Sequence, residues 1–258
     1  MSGSWSSSVP VIWAGRTGCS RRFGPLATRC GPGGVIGDRR PTMTTELLEH
    51  DRRGAVEFVR INTGRPNLLD HAGVAALTAA LVAAEARPES QVLLLAGRPG
   101  IFCAGLDPVA LATDGNALQA EMDALLRALL SSRLRVAVCV SGHALGAGAA
   151  LLLVADVRVG AKGPSKVGFP EVGQGQTLPE LFVRLARQRL SRRFFEPATV
   201  LGRLFSPEEA VDAGFIDWME GAGRALKAAT ASAEQLAALP EAAYLRAIAS
   251  VREGLVEP

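Results

Sequence analysis

Two segments of small residues constrain this chain more than any other feature: Phe102-Cys103-Ala104-Gly105-Leu106-Asp107 and Gly142-His143-Ala144-Leu145-Gly146-Ala147-Gly148. Each follows a strand-like apolar run, Val92-Leu93-Leu94-Leu95 before the first and Val136-Ala137-Val138-Cys139-Val140 before the second. Glycine and alanine leave no side chain between the turn's backbone and whatever approaches it. Two such turns side by side can aim two N–H donors at one oxygen, which is an oxyanion hole. Taken alone, either segment is better read as a tight turn in an α/β fold.

The surrounding chain alternates strand and helix patterns. Residues 55–61 alternate as a strand, and Gly73 to Ala86 is Ala/Leu-rich and helical, closed by Arg87-Pro88. Asp107-Pro108 suits a helix start, with Asp as cap and Pro in the first helical position. Gly115 to Ser132 forms an amphipathic helix, Ala147 to Ala155 a buried one, and short strands follow near 157–160 and 166–169. From Leu178 to Glu257 the pattern is helical, broken at Gly202, Gly214 and Pro240. Strand-then-helix units followed by a helical tail predict an α/β architecture.

Charge sharpens the domain reading. Of 28 basic and 25 acidic residues, six Arg and one Asp (Asp38) lie within 1–42, which leaves 22 against 24 in the body. The basic balance therefore belongs to the first segment and says nothing about nucleic acid. With aromatics at 5%, base-stacking platforms are also disfavoured. Residues 1–42, rich in Ser, Gly and Arg, fit a disordered extension, a transit peptide, or sequence upstream of a true start at Met43. Gly31-Pro32-Gly33-Gly34 counts against a helical import signal. No run reaches the ~18 apolar residues that a membrane helix needs. Cys19, Cys30, Cys103 and Cys139 show neither metal spacing nor a disulfide framework, and Cys139 in a buried-type strand suggests a reducing compartment. The expected location is cytoplasmic, or mitochondrial if 1–42 is a transit peptide.

On the two turns, and on Gly168-Phe169-Pro170-Glu171-Val172-Gly173, the chain resembles the crotonase family, the enoyl-CoA hydratases and isomerases. The resemblance covers about residues 50–240. Ser206-Pro207-Glu208-Glu209-Ala210-Val211-Asp212-Ala213-Gly214-Phe215-Ile216-Asp217 also matches a family stretch, which is scaffold: Ser206 caps a short helix and Gly214 ends it. The resemblance implies a crotonase-like spiral of ββα repeats over 43–200 and a short C-terminal helical region over 201–258. It also implies a homotrimer or a dimer of trimers. After Pro240 one short helix remains, where family members usually continue further.

The same resemblance assigns the site. Oxyanion N–H donors fall on Leu106 and Ala147, and the helix opening at Ala147 adds its positive end. Substrate contacts fall on Phe102, Cys103, Ala104, Gly105 and Asp107 in the first loop, near which adenine lies, and on Leu145, Gly146 and Ala150 around the second. Asn67, in Asn67-Leu68-Leu69, matches an early motif beneath the CoA channel. Arg and Lys near the tail are candidates for the CoA phosphates. Hydratases of the family carry one glutamate at the position of Ala150 and one at the position of Glu171. Alanine cannot move a proton, which leaves Glu171 alone. One carboxylate can take a proton from C2 and return it at C4, so the pattern resembles the Δ3,Δ2-enoyl-CoA isomerase branch. In an apolar pocket its pKa should rise.

Competing candidates have plainer roles. His143 reads as a structural hydrogen-bonding residue, and Cys103 as a small filler without a positive neighbour to activate it. Asp107 reads as a loop-fixing cap. Gly142 to Gly148 lacks the G-x-G-x-x-G spacing of a dinucleotide loop. The expectation is thus an enoyl-CoA isomerase with an acyl-CoA partner, no nucleic acid or membrane partner, and no metal or cofactor beyond the CoA of the substrate. An enoyl-CoA hydratase, and a non-catalytic acyl-CoA-binding protein, are the alternatives.

Overall fold

The computed structural model describes residues 47–255; the expectations for 1–42, Met43, Cys19 and Cys30 lie outside the described residues. Strands β1 (Leu48–Arg53) and β2 (Val56–Ile61) make an antiparallel hairpin, and a two-residue β3 (Leu68–Leu69) leads into α1 (His71–Glu85). Then come β4 (Val92–Ala96), β5 (Gly100–Cys103), β6 (Gly105–Leu106) and α2 (Pro108–Ser131). The next unit is β7 (Arg135–Val140), β8 (Gly142–Leu145) and α3 (Ala147–Val154). It is followed by β9 (Val157–Ala161), β10 (Val167–Gly168), a 3-10 turn at Val172–Gln174 and α4 (Glu180–Arg189). Helices α5 (Arg192–Thr199) and α6 (Pro207–Ala213), strand β11 (Trp218–Glu220), and helices α7 (Ala225–Ala237) and α8 (Glu241–Val251) complete the order.

The units wind as a spiral. A long strand enters the main sheet, a short strand follows in a smaller sheet, and a helix returns. The main sheet runs β1-β2-β4-β7-β9-β11, parallel except for the first pair, and the small sheets run β10-β8-β5 and β3-β6. Short strands thus stack beside one another, so the loops at their ends gather in one place. The expected spiral of ββα repeats is the architecture found.

Both faces of the main sheet are covered, which explains why its strands read as unbroken apolar runs. Leu93, Leu95, Val136 and Val138 join the core shared with α1, α2 and α3. Val92, Leu94, Ala137 and Val159 turn to the opposite face, where α7 packs through Ala225, Ala229 and Ala233. Those alanines fall four residues apart, giving α7 a flat stripe on which it can approach the sheet closely.

Local rules account for most boundaries. The Asp107 carboxylate accepts N–H groups from Val109 (2.7 Å) and Ala110 (3.1 Å), which starts α2 at Pro108. The α2 path breaks at Asp114 (φ −148°, ψ 57°), immediately before the expected start at Gly115. Ser206 and Glu209 form a reciprocal capping box on α6, and Gly214 ends it.

Three expectations need correction. Residues 178–257 are not wholly helical: β11 adds a parallel strand to the sheet edge beside β9. Three residues carry no period, and their pairing is set by a tertiary tether, Asp217 accepting the backbone N–H (2.7 Å) and Nε (3.2 Å) of Arg158. The charged, exposed β1 was also missed, because an edge strand of this kind shows no apolar alternation. Finally, the two small-residue turns are partly strand, since β5, β6 and β8 lie within them.

The last helix is latched by buried charge. Arg252 donates to Asp156 Oδ1 (2.9 Å) and to the Leu130 carbonyl (2.6 Å), and Tyr244 Oη donates to Asp156 Oδ2 (2.9 Å). Asp156 Oδ2 also accepts the Val136 N–H at 2.7 Å. The Arg252 and Asp156 side chains are only 3% and 8% exposed. Replacing Arg252 by Ala leaves Asp156 charged and buried, and should cost about 3–5 kcal/mol, read as a lower urea midpoint at unchanged slope.

Candidate active site

The site forms where β5–β6, β8–α3 and the segment after β10 converge. Gly146 donates to the Gly168 carbonyl (3.0 Å) and Ala144 to the Lys166 carbonyl (3.0 Å), so β10 delivers Glu171 beside the start of α3. From the other side the β5–β6 loop comes into backbone contact. A Cβ built on Gly105 would lie 3.0 Å from the Leu145 carbonyl oxygen and 3.6 Å from the Ala147 nitrogen. A Cβ on Gly148 would sit 2.2 Å from the Cys103 carbonyl oxygen, a distance no real side chain tolerates. Gly146 has φ +53° and caps α3 without a side chain.

The two N–H groups named from the sequence lie on either side of this packing, at Leu106 and Ala147. Ala147 opens α3, and the first N–H groups of a helix have no intrahelical acceptor. Asp107 donates its N–H to the Leu69 carbonyl (2.8 Å). Leu106, the residue before it, pairs with Leu69 in the β3–β6 ladder and lines the cleft.

Glu171 is the buried titratable group among the cleft-lining residues. A Cβ on Gly146 would lie 2.7 Å from its Oε1, and its Oε2 is buried with no hydrogen-bond partner. Burial pushes its pKa from 4.5 up to about 7, opposed in part by a backbone hydrogen bond. Its own carbonyl accepts the N–H groups of Gln174 (3.0 Å) and Gln176 (2.9 Å), which fixes the turn beneath it.

These groups open on a cleft of about 730 Å³. Of the residues named from the sequence, Ala104, Gly105, Leu106, Leu145, Gly146, Ala147 and Glu171 line it. Asn67, Phe102, Cys103, Asp107 and Ala150 are not among the residues that line it. Asn67, fully buried at φ +60°, donates to the carbonyls of Ile61 (2.9 Å) and Phe102 (3.1 Å), and its own carbonyl accepts the Ala104 N–H (3.3 Å). It therefore fastens the first loop. Ala150 lies buried inside α3, and burial drives the Cys103 thiol up to about 12. His143 Nδ1 accepts the Lys166 N–H at 3.1 Å, as a structural residue would.

Sequence reasoning missed the walls. Leu68, Leu111, Leu178, Phe182 and Leu204 supply apolar surface, and Gln119, Gln174, Gln176, Thr177 and Glu180 supply polar surface. Leu111, Gly115 and Gln119 recur every four residues and mark one face of α2. Leu204 lies in a loop with no such signal. Among the described residues no cluster of His, Cys, Asp and Glu is placed to hold a metal ion, and no helix is long and apolar enough to cross a membrane.

A ββα spiral with glycine-lined turns facing a buried carboxyl defines the crotonase class of acyl-thioester proteins. The chain belongs to the enoyl-CoA hydratase/isomerase family, whose profile matches residues 51–256. It is 33% identical over 131 residues to the mouse (Mus musculus) "Enoyl-CoA delta isomerase 1, mitochondrial", covering 49% of this chain and 45% of the mouse protein. It is 28% identical over 211 residues to a "Probable enoyl-CoA hydratase" of Mycobacterium bovis, covering 78% and 79%. A crystal structure of an enoyl-CoA hydratase/isomerase family protein from Pseudomonas syringae superposes with a TM-score of 0.78 at 32% identity, covering 81% and 92%. Similarity thus extends to both reaction types.

Two outcomes follow from the geometry. Folding raises the Glu171 pKa, so its contribution to stability is complete below pH 4.5 and is lost as pH rises through 7. Glu171→Gln should therefore match the parent melting temperature below pH 4.5 and exceed it above pH 7. Gly148→Ala forces the β5–β6 loop from α3 and should cost at least about 1–3 kcal/mol in chemical denaturation.

Proposed function

We propose that the protein moves the double bond of a 3-enoyl-CoA thioester to the 2-position. One observation carries this reading: Glu171, lifted to about 7 by burial, is the single carboxylate beside the glycine turns, while Ala150 offers none. In the proposed cycle the thioester carbonyl oxygen accepts hydrogen bonds from the Leu106 and Ala147 N–H groups. The Glu171 carboxylate removes a proton from C2, and the electron pair delocalises into a dienolate whose charge rests on that oxygen. The protonated Glu171 then delivers the proton to C4 as the double bond forms between C2 and C3. The substrate and product have the same composition, and no electrons leave the substrate. On this basis no redox group is needed, and CoA enters only as part of the substrate.

Energetic arguments favour the arrangement. Each fixed donor aimed at a developing oxyanion supplies about 3–4 kcal/mol. A carboxyl near pKa 7 accepts and returns a proton with little driving force wasted in either direction. The apolar walls Leu68, Leu111, Phe182 and Leu204 suit an acyl chain. The same reading carries the homotrimer or dimer of trimers as the assembly.

A hydratase reading has one observation behind it: Glu180 opens α4 and lines the same cleft, where it is exposed. It brings a second carboxylate to the chamber, on a different element from Ala150.

The 258-residue chain assayed with trans-3-hexenoyl-CoA and, separately, crotonyl-CoA distinguishes the two. Formation of the 2-enoyl product without hydration supports isomerisation, and water addition to crotonyl-CoA overturns it. Silence with both, while thioesters still bind, assigns a non-catalytic binder. Glu171→Gln should lower turnover by about 10²–10⁴-fold while retaining thioester affinity. Because free enzyme must present the carboxylate, kcat/KM should rise with pH up to about 7 and level off above it.

A further inference from the structure

The stretch that matched the family downstream reads as scaffold in the sequence, yet the residues leading into it lie directly against the Glu171 turn. Val172, Gly173, Gln174 and Gly175 are exposed on their outer side. On the inner side they meet Gly202. With φ at +60°, a Cβ built on Gly202 would lie 2.9 Å from the Gly173 nitrogen and 3.7 Å from the Phe169 carbonyl oxygen. The contact continues along the chain: Val167 and Phe205 exchange N–H···O bonds of 3.0 and 2.9 Å, and a Cβ on Gly168 would stand 3.0 Å from the Arg203 carbonyl oxygen. Residues 202–205 therefore run along the back of 167–173 without a gap.

That strip is itself immobilised. Val200 and Leu201 donate to the Glu196 carbonyl (2.8 and 3.2 Å), and Arg203 donates to the Pro197 carbonyl (3.0 Å). The Arg203 guanidinium pairs with Glu209 of the α6 capping box and lies 5.2 Å from the Phe205 ring centre. Ahead of Glu171 stands Gly146, whose missing Cβ leaves room for Oε1. The Glu171 segment is thus held between two positions that lack a side chain, one before the carboxyl and one behind its turn.

We propose that Gly202 is a positioning residue for Glu171, its left-handed, side-chain-free backbone setting how far the Glu171 turn sits back from Gly146 and the cleft. The consequence of this proposal for turnover rests on the proton-carrier reading of Glu171; the placement itself does not. A methyl at 202 has to move the Gly173 amide, because the contact is with backbone and not with a flexible side-chain end. A displacement approaching 1 Å of a proton-carrying group lowers rates by about 10²-fold.

The test compares Gly202→Ala with two controls in the full chain. Gly173→Ala adds a methyl to the same turn but into open space, and Gly54→Ala imposes the same backbone strain (φ +58°) far from the site, again with nothing within 4 Å. Two readouts are taken: kcat with KM on the 3-enoyl substrate, and the Glu171 carboxyl titration followed by 13C NMR of labelled glutamate. Gly202→Ala should lower kcat roughly 10- to 100-fold with a smaller change in KM, and move the Glu171 midpoint away from its parent value. Both controls should leave kcat and midpoint at parent values. If Gly202→Ala fails to fold, Gly202→Asn tolerates positive φ, carries the same Cβ and is judged by the same readouts. A folded Gly202 variant with parent kcat and an unmoved Glu171 midpoint overturns the proposal and leaves Glu171's role intact. Full turnover in Glu171→Gln overturns that role instead, and the NMR midpoint alone then decides whether Gly202 places the carboxyl.

Discussion

The backbone of the first turn of α3 lies against the backbone of the β5–β6 loop, and the site is arranged around that contact. It exists because Gly105, Gly146 and Gly148 remove the three side chains that would stand in the way. It brings the segment carrying Leu106 beside the start of α3 at Ala147. Gly146 holds a further role, since the space it leaves is taken by the Glu171 carboxyl. Backbone-to-backbone packing of this kind is stiff, because neither partner has rotamers through which to relax.

The electrostatics of the cleft follow from the same packing. Glu171 is desolvated among apolar walls, so its charged form is disfavoured until something compensates. The nearest compensation in the fold is dipolar: the N-terminal end of α3 and the N–H groups beside it. On the proposed reading, negative charge leaves the carboxylate as it appears on the thioester oxygen, a short distance away in the same chamber. One carboxylate and one pair of fixed dipoles then exchange a single charge, which is why the alanine at 150 is chemically coherent and not a defect.

The C-terminal third supports the site from outside. Helix α7 covers the far face of the sheet, β11 extends the sheet edge, and α8 is latched through Tyr244 and Arg252 onto Asp156, two residues beyond the end of α3. Segment 202–205 ties this region to the Glu171 turn. The helix whose N-terminus faces the cleft is therefore anchored at its other end by a buried ion pair.

Much of this was legible before any coordinates. Apolar runs at 92–95 and 136–140 read as two-sided buried strands, Asp107-Pro108 and Ser206-Pro207 announced helix starts, and the glycine turns and Glu171 marked segments that line one cleft. Those signals are local, carried by periodicity, capping chemistry and missing side chains. Tertiary structure decided the rest. The two-residue strands, the charged edge strand β1 and the strand β11 have no period to read, and they form because neighbours offer hydrogen bonds. The placement of Asn67 as a fastening beneath the loop, the walls from α2, α4 and Leu204, and the brace at Gly202 depend on contacts between segments tens of residues apart. The raised pKa of Glu171 belongs with them: the sequence supplies a glutamate in an apolar setting, but only the fold withdraws water from it.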